Sequence, residues 1–380
     1  MKKCLHILPM NKLSGAEKMA LLICKNMKKF TPVVVCGGKN LSEIFKKEGI
    51  ESYDTTFSNK NIFKTLRFLK NIIEKNNIKI IHAHDNNASL NAYLVKRTFR
   101  LDIKVISHIH NCYPFLKGKN FNKLLDSYFR PRYDYNISCG SLVYEFYKKN
   151  TKYFRTDKTE VLSNAMDIKE INKFDFNKSK EIIDKFNIPK DKKILGFIGR
   201  LDEQKGITPF IKELSKYKEY FNDCTFLLVG SGSQEQEIKI LIKQLNLEEY
   251  FILTGFQEDT YKFYPIIDVF FLPSLYEGLP MVLLEAMAFK KTIVSMDVGS
   301  IGELINDKTG VLIKKGDYKA FINYLKYIKD NENKVKRYGE EASRFVRENY
   351  NIESYVEKVE KKYNSLISWF YKEYLMWRDY

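Results

Sequence analysis

Two carboxylates placed on either side of a turn are the first residues with chemistry to offer. The segment Phe271-Leu-Pro-Ser-Leu-Tyr-Glu-Gly-Leu-Pro-Met-Val-Leu-Leu-Glu285 reads as a strand end, a loop holding Glu277 and Gly278, and a helix starting near Leu279. At about 1.5 Å of rise per residue, Glu285 falls nearly two turns inside that helix while Glu277 stays in the loop above it. The first N–H groups of a helix have no intrahelical partner and form an anion site, which Gly278 lets a phosphate approach closely. A diphosphate suits this place. The acids suit sugar and ribose hydroxyls, since each accepts charge-assisted hydrogen bonds worth about 1.5–3 kcal/mol. A bare Glu-x7-Glu would be a loose pattern, and its position after an apolar strand gives it weight.

Other candidates are weaker in isolation. Arg200 and Lys205 stand five apart after another apolar run, a spacing that more often means surface charge than a ligand. Gly230, Gly232 and Gly255 follow strand-like runs and permit tight turns there. His82-Ala-His84 and His108-Ile-His110 end two further runs, and strand alternation puts the members of each pair on one face. That could suggest a metal site, but no acidic ligand set accompanies them, and no metal is expected. His6, His82 and His108 lie among apolar strand residues and read as structural.

The elements that must position these residues alternate. Cys4–Leu8, Val33–Cys36, Ile78–His82, Val105–Ile109 and Asn136–Cys139 have strand character with helical periodicity between them. A second series comprises Ile194–Ile198, Thr225–Val229, Phe251–Thr254, Val269–Leu272, Thr292–Ser295 and Val311–Ile313. Each series predicts a parallel, doubly wound α/β sheet, in which ligands bind beyond the strand C-termini. Between them, residues 166–188 are crowded with Lys, Asp and Asn and read as a linker. The expected organisation is therefore residues 1–165 as one Rossmann-like domain and 189–351 as a second. A terminal helix of about 352–380 carries Trp369, Phe370, Tyr371, Tyr374 and Trp377, and packing against the protein is favoured for it over contact with lipid.

Composition narrows the classes. At 380 residues the chain is long enough for two domains with their own cores. The six cysteines show no Cys-x-x-Cys spacing, which argues against a zinc site or a disulfide framework and for buried thiols in a reducing cytoplasm. Met1–Met10 lacks the pattern of a signal peptide, and no apolar run approaches the ~18 residues that would cross a bilayer. The net charge of +17 resides wholly in residues 1–165, with 30 basic against 13 acidic side chains, while 166–380 balance at 34 each. A basic first half could meet an anionic membrane face, an acidic acceptor or nucleic acid, although a solvated lysine-rich surface needs no partner.

With these segments assembled, a resemblance becomes specific. The Pro-Ser-Leu-Tyr-Glu-Gly-Leu-Pro loop with its second Glu resembles the donor signature of family 4 glycosyltransferases. Gly199-Arg-Leu-Asp-Glu-Gln-Lys-Gly206 is similar to that family's Gly-Arg-Leu-x-x-x-Lys-Gly turn, whose Arg and Lys bind the donor diphosphate. Leu228-Val-Gly-Ser-Gly-Ser and Leu253-Thr-Gly-Phe256 resemble two further turns of the family, and Val161-Leu-Ser-Asn-Ala-Met-Asp167 its interdomain hinge. Val298-Gly-Ser-Ile-Gly-Glu303 and Thr309-Gly310 resemble its later turns. Ser14-Gly-Ala-Glu17 is similar to its Gly-Gly-x-Glu loop, with Ser14 in place of the first glycine.

The resemblance implies a GT-B fold, with an N-terminal acceptor domain, a C-terminal donor domain, the active site between them, and a final helix that returns to the first domain. It also implies transfer of a sugar from a nucleoside diphosphate, UDP-sugars being favoured, with retention and without a metal or other cofactor. The acceptor would be a saccharide or a polyprenyl-diphosphate-linked saccharide in capsule or exopolysaccharide synthesis, the protein being cytoplasmic and peripheral at the inner membrane face. By position, Arg200 and Lys205 would hold the diphosphate, where cations offset charge developing on the leaving group. Glu285 would hold ribose, and Glu277 and His110 would contact the sugar. Gly15, Gly230, Gly255, Phe256, Gly278 and Leu279 would line the donor site, and His84 would sit nearby on the acceptor side. An epimerase of the same fold and a noncatalytic nucleic-acid module are the alternatives. The first would convert a nucleotide sugar without transfer, and the second should show stacking aromatics among its basic residues, which 1–165 does not clearly do.

Overall fold

The computed structural model describes residues 1–57 and 61–378, with side chains described as far as Ser368. The expectation for Trp369, Phe370, Tyr371, Tyr374 and Trp377 lies outside the described side chains. The chain divides into two compact units, residues 1–165 with 352–380, and residues 166–351.

The first unit runs β1 (Lys2–Leu8), α1 (Gly15–Asn26), β2 (Phe30–Cys36), α2 (Lys39–Lys47), β3 (Glu51–Asp54), α3 (Ile62–Lys75), β4 (Ile80–His84), α4 (Asp85–Thr98), β5 (Lys104–Ile109), α5 (Phe121–Phe129), β6 (Tyr135–Ser138), α6 (Ser141–Asn150) and β7 (Thr159–Val161). Its seven strands are all parallel in the order β3-β2-β1-β4-β5-β6-β7. Strand alternation sends Leu5, Ile7, Val33, Val35, Ile81, Ala83 and Val105 into one core against Leu66, Leu69, Ala88, Ala92 and Val95 of α3 and α4. The opposite face buries Leu8, Val34 and Cys36 against Ala20 and Cys24 of α1 and Leu41 and Phe45 of α2. Each large apolar side chain so buried contributes roughly 1.5–3 kcal/mol.

The second unit runs α7 (Ile168–Asn172), α8 (Asn177–Lys185), β8 (Lys193–Ile198), α9 (Ile207–Leu214), β9 (Cys224–Val229), α10 (Glu235–Gln244), β10 (Phe251–Leu253), β11 (Val269–Leu272), α11 (Met281–Ala288), β12 (Thr292–Asp297), β13 (Gly310–Lys314), α12 (Tyr318–Lys329) and α13 (Glu332–Asn349). Its six strands are parallel in the order β10-β9-β8-β11-β12-β13. Phe210 of α9 stacks on Phe271 of β11 at 4.8 Å and meets Phe226 of β9 edge-on, so aromatic rings pin helix to sheet. In both sheets the strand order reverses direction at the first strand, between β1 and β4 and between β8 and β11. Ligands of doubly wound sheets bind at such a point.

The last helix, α14 (Ile352–Arg378), belongs to the first unit, where it packs on α1 and buries Val356, Val359 and Tyr363. Buried Glu360 anchors it by accepting the backbone N–H groups of Lys28, Lys29 and Phe30 at 2.9, 2.6 and 3.1 Å.

Several boundaries differ from expectation. Residues 166–188 are not a bare linker. They carry α7 and α8 within the second unit, with Asp167 capping α7 and Ile171, Ile182 and Ile188 buried, too sparse an apolar pattern to stand out among the charges. β4 ends at His84 and not His82, because its pairing with β5 sets His84 opposite His108. The edge strands β3 and β7 are only four and three residues long and have no run to betray them. The helix near Leu279 starts at Met281 after Pro280, which places Glu285 in its second turn.

Candidate functional site

In the second unit two loops meet at the C-terminal edge of β8 and β11. After β8 the chain passes Gly199 and Arg200 and makes a short helical turn, Glu203–Lys205, which ends on Gly206 with φ +66°. A Cβ at Gly206 would lie 2.2 Å from the Pro273 carbonyl oxygen, so only glycine lets the two loops touch. The Leu275 N–H donates to the Gln204 carbonyl at 2.8 Å and closes the junction.

That junction delivers Lys205 to Glu277. The Lys205 Nζ donates to Glu277 Oε1 at 2.6 Å, with both side chains nearly buried. Ser274 Oγ donates to the same oxygen at 2.7 Å, and Gln204 Nε2 reaches Oε2 at 3.4 Å and the Tyr276 carbonyl at 2.9 Å. Arg200 is exposed and pairs with Asp202 at 3.2 Å, its guanidinium also reaching Gln204 at 3.4 Å. Lys205, named from the family resemblance, and Glu277 are thus paired, and the structure adds Gln204 and Ser274 to them. Both lie inside the motifs, Ser274 three residues before Glu277, where a hydroxyl could have been suspected.

After this loop, α11 is apolar on every side except for Glu285, which is fully buried. The Tyr264 hydroxyl donates to Glu285 Oε2 at 2.6 Å, and burial together with the Glu285 charge pushes the Tyr264 phenol well above its ordinary range. Tyr264 therefore stays a donor. Nothing local in the sequence pairs residues 264 and 285, so this contact was not legible. A buried carboxylate on an apolar helix costs stability unless it is hydrogen-bonded, and the Tyr264 hydroxyl offsets part of that cost. Gly278 and Leu279 are buried at the helix entrance, where the Gly278 carbonyl accepts the Ser300 N–H at 2.9 Å.

The glycine turns lie along the same edge. Gly230, with φ +136°, would place a Cβ 2.0 Å from the Gly199 carbonyl, and its N–H donates to the Gly255 carbonyl at 2.9 Å. Phe256 follows as an exposed ring.

In the first unit, Gly15 opens α1 after Ser14, the helix N-cap. Glu17 Oε2 accepts the Ser14 N–H at 3.3 Å as well as its hydroxyl, so Ser14 is half of a capping box. Burial raises the Glu17 carboxyl above its usual value. All five histidines of the chain gather on β1, β4 and the end of β5. His84 Nδ1 lies 3.1 Å from His110 Nε2, and His84 Nε2 lies 3.1 Å from His6 Nδ1. His82 joins His108 at 3.1 Å and the Tyr363 hydroxyl at 2.6 Å. Burial lowers the His110 imidazole, which the Asp85 charge partly offsets, and drives His6 down to about 3 and the other three well below the ordinary value. His6, His82 and His108, read singly as structural, are thus linked to His84 and His110. The link comes from strand register, which the sequence does not display.

Known proteins resemble this chain over both of its units. Residues 13–170 match the model of Glycosyltransferase Family 4, and residues 178–361 match that of Glycosyl transferases group 1. A *Campylobacter jejuni* relative, N-acetylgalactosamine-N,N'-diacetylbacillosaminyl-diphospho-undecaprenol 4-alpha-N-acetylgalactosaminyltransferase, is 32% identical over 49% of this chain and 48% of its own length. An *Escherichia coli* relative, UDP-Gal:alpha-D-GlcNAc-diphosphoundecaprenol alpha-1,3-galactosyltransferase, is 23% identical over 87% of this chain and 88% of its own. The chain spans 59% of the length of a third, an uncharacterized glycosyltransferase of *Methanocaldococcus jannaschii*, so with the *Campylobacter* protein the match is to about half of the relative. Among solved structures, *Anabaena* HepE in complex with UDP-glucose superposes with a TM-score of 0.84 at 18% identity, covering 96% of this chain and all of that one, a likeness of fold. Two family models that together span residues 13–170 and 178–361, on two doubly wound parallel sheets, establish that the chain belongs to the family 4 glycosyltransferases of the GT-B fold.

Proposed function

We propose that the chain is a hexosyltransferase that moves a sugar from a nucleoside diphosphate, a UDP-sugar by preference, to a saccharide or polyprenyl-diphosphate-linked saccharide, with retention at the anomeric carbon. The observation that supports this is the Lys205–Glu277 pair at the C-terminal edge of β8 and β11, followed along the chain by buried Glu285 of α11. Lys205 and Arg200 supply positive charge to the diphosphate, Glu277 accepts sugar hydroxyls, and Glu285 accepts those of the ribose. His110 contacts the sugar, and Gly15 gives the backbone room at the phosphate. With two cations for the leaving group no divalent metal is needed. A leaving phosphate oxygen takes the acceptor's proton on the face from which the nucleotide departs.

Relatives named for diphospho-undecaprenol acceptors, and one from *Staphylococcus aureus* named for capsular polysaccharide biosynthesis, support a surface-polysaccharide role. Among the described residues no helix is long and apolar enough to cross a membrane. We infer that the basic residues of 1–165 hold the protein at an anionic membrane face. Sedimentation with anionic vesicles at low salt should show binding, and its absence would discard that part alone.

The test of the main reading is a panel of UDP-, GDP- and ADP-sugars, followed by thermal shift and nucleotide release with EDTA present. One donor should be selected, and Glu285→Ala should abolish its protection. Equal response to every donor, or full activity in Glu285→Ala, refutes the assignment.

A further inference from the structure

The five histidines form more than a cluster. Taken bond by bond, they make one unbranched chain with Tyr363 of α14 in its middle, running His110, His84, His6, Tyr363, His82 and His108. The links are His110 Nε2 to His84 Nδ1 at 3.1 Å, His84 Nε2 to His6 Nδ1 at 3.1 Å, and His6 Nε2 to the Tyr363 hydroxyl at 3.4 Å. The chain continues from that hydroxyl to His82 Nδ1 at 2.6 Å and from His82 Nε2 to His108 Nδ1 at 3.1 Å. The His6–Tyr363 link is the longest and weakest. His6, His82, His84, His108 and Tyr363 are buried to 1% exposure or less.

Ring nitrogens of His6, His82 and His84, and of His84, His108 and His110, lie within 4.8 Å of one another, distances at which three imidazoles can also hold an ion. The hydrogen-bonded neighbours are close to coplanar, His84 lying 20° from His110 and 24° from His6, which suits a row of hydrogen bonds passed from ring to ring.

Such a row has two ways to be filled. A neutral imidazole carries a hydrogen on one nitrogen and a lone pair on the other, so each ring that donates at one end must accept at the other. Either all protons point toward His108, and every histidine is the Nε2–H tautomer, or all point toward His110, and every one is the Nδ1–H tautomer. The His108 end chooses between them. His108 Nε2 is buried without a partner, and an orphaned buried N–H is a rarer and costlier defect than an orphaned lone pair. That end favours protons pointing toward His110.

We propose that the His108–His82–Tyr363–His6–His84 row is a positioning relay that holds His110 in its Nδ1–H tautomer, leaving that N–H as the outward hydrogen-bond donor. This rests on the reading of His110 as the residue that contacts the donor sugar. The remote members, Tyr363 and His6 above all, then act on transfer through His110 without touching substrate. The C-terminal helix, by contributing Tyr363, joins the two halves of the row.

With only five histidines in the chain, the relay can be read directly. Nitrogen-15 NMR of the full-length protein, with labelled histidine and assignment by single His→Gln variants, should show five neutral Nδ1–H tautomers at pH 7.5. Nε2–H tautomers throughout, a mixture, or an imidazolium in the row would overturn the proposal. In Tyr363→Phe, His110 should become a tautomer mixture and kcat should fall about tenfold or more with donor KM little changed. A His110 signal unchanged in Tyr363→Phe would sever the coupling even if activity fell. Should that variant fail to fold, the wild-type spectrum still decides. If the tautomers are as assigned but no donor is turned over, the relay stands and the transferase reading falls, whereas turnover with the wrong tautomers leaves transfer standing and removes the relay.

Discussion

Removing the Lys205 charge should cost the second unit more when Glu277 is present than when it is absent. In the structure Lys205 and Glu277 keep 11% and 5% of their side-chain surface exposed, so water replaces little of a lost partner. Lys205→Met conserves volume and leaves Glu277 with only Ser274 at 2.7 Å and Gln204 at 3.4 Å. Breaking a buried pair from one side costs about 3–5 kcal/mol, and the two remaining donors bring the expected loss to about 2–3 kcal/mol. For a unit of this size that lowers Tm by about 4–12 °C. Glu277→Gln removes the charge that Lys205→Met strands, so the double variant should recover about 1–2 kcal/mol relative to the sum of the singles. Calorimetry of the four proteins closes the cycle. Additivity of the two substitutions to within about 0.5 kcal/mol would show that the pair is a coincidence of packing, and the electrostatic account of the site would be wrong.

The histidine row predicts acid lability. The folded pKa values lie below the unfolded value of about 6.5, down to about 3 for His6, so the unfolded chain binds more protons below pH 6.5. The stability is fully present above that pH and is lost as pH falls toward 3, by up to about 1.4 kcal/mol per pH unit for each histidine. Glu17, raised by burial, works in the opposite direction but is one group against five. Urea unfolding of the first unit at pH 7.5 and 5.5 should show the loss, and equal midpoints would contradict the burial of neutral imidazoles. Glu360→Ala strands three backbone N–H groups and should destabilise the docking of α14 by about 3 kcal/mol. Hydrogen exchange along residues 352–368 would report this, and unchanged protection there would show that apolar contacts alone hold the helix.

The sequence displayed what repeats along the chain or is local to a motif. All six strands of the second sheet can be found by their apolar runs, and Lys205, Glu277 and Glu285 are visible because strand, loop and helix fall in order within a few residues. What stayed hidden depends on register and on distance in sequence. His6 and His84 are 78 residues apart and Tyr363 and His82 are 281 apart, and no pattern announces that parallel pairing and a returning helix bring them together. Tyr264 is hidden from Glu285 for the same reason. The helices within residues 166–188 stayed hidden because α7 and α8 bury only one isoleucine each, and charge-rich composition masks so sparse a pattern.

The two units solve the burial of polar groups in opposite ways, and the difference bears on which ligand the second one accepts. The first unit buries neutral imidazoles that satisfy one another in series. The second buries opposite charges that cancel in place, Lys205 against Glu277, and must unmake that pair to use either charge on a ligand. Inorganic phosphate could take over Lys205 but would leave the Glu277 carboxylate without its cation, held only by Ser274 and Gln204, and a free sugar could satisfy Glu277 but would strand the ammonium. Either alone incurs the cost of an unpaired buried charge. A molecule that joins a phosphate to a hydroxylated ring across the width of the pair replaces both partners at once. On the proposed roles, the preference for an intact sugar nucleotide over its fragments thus originates in an internal salt bridge that only such a molecule can exchange without loss.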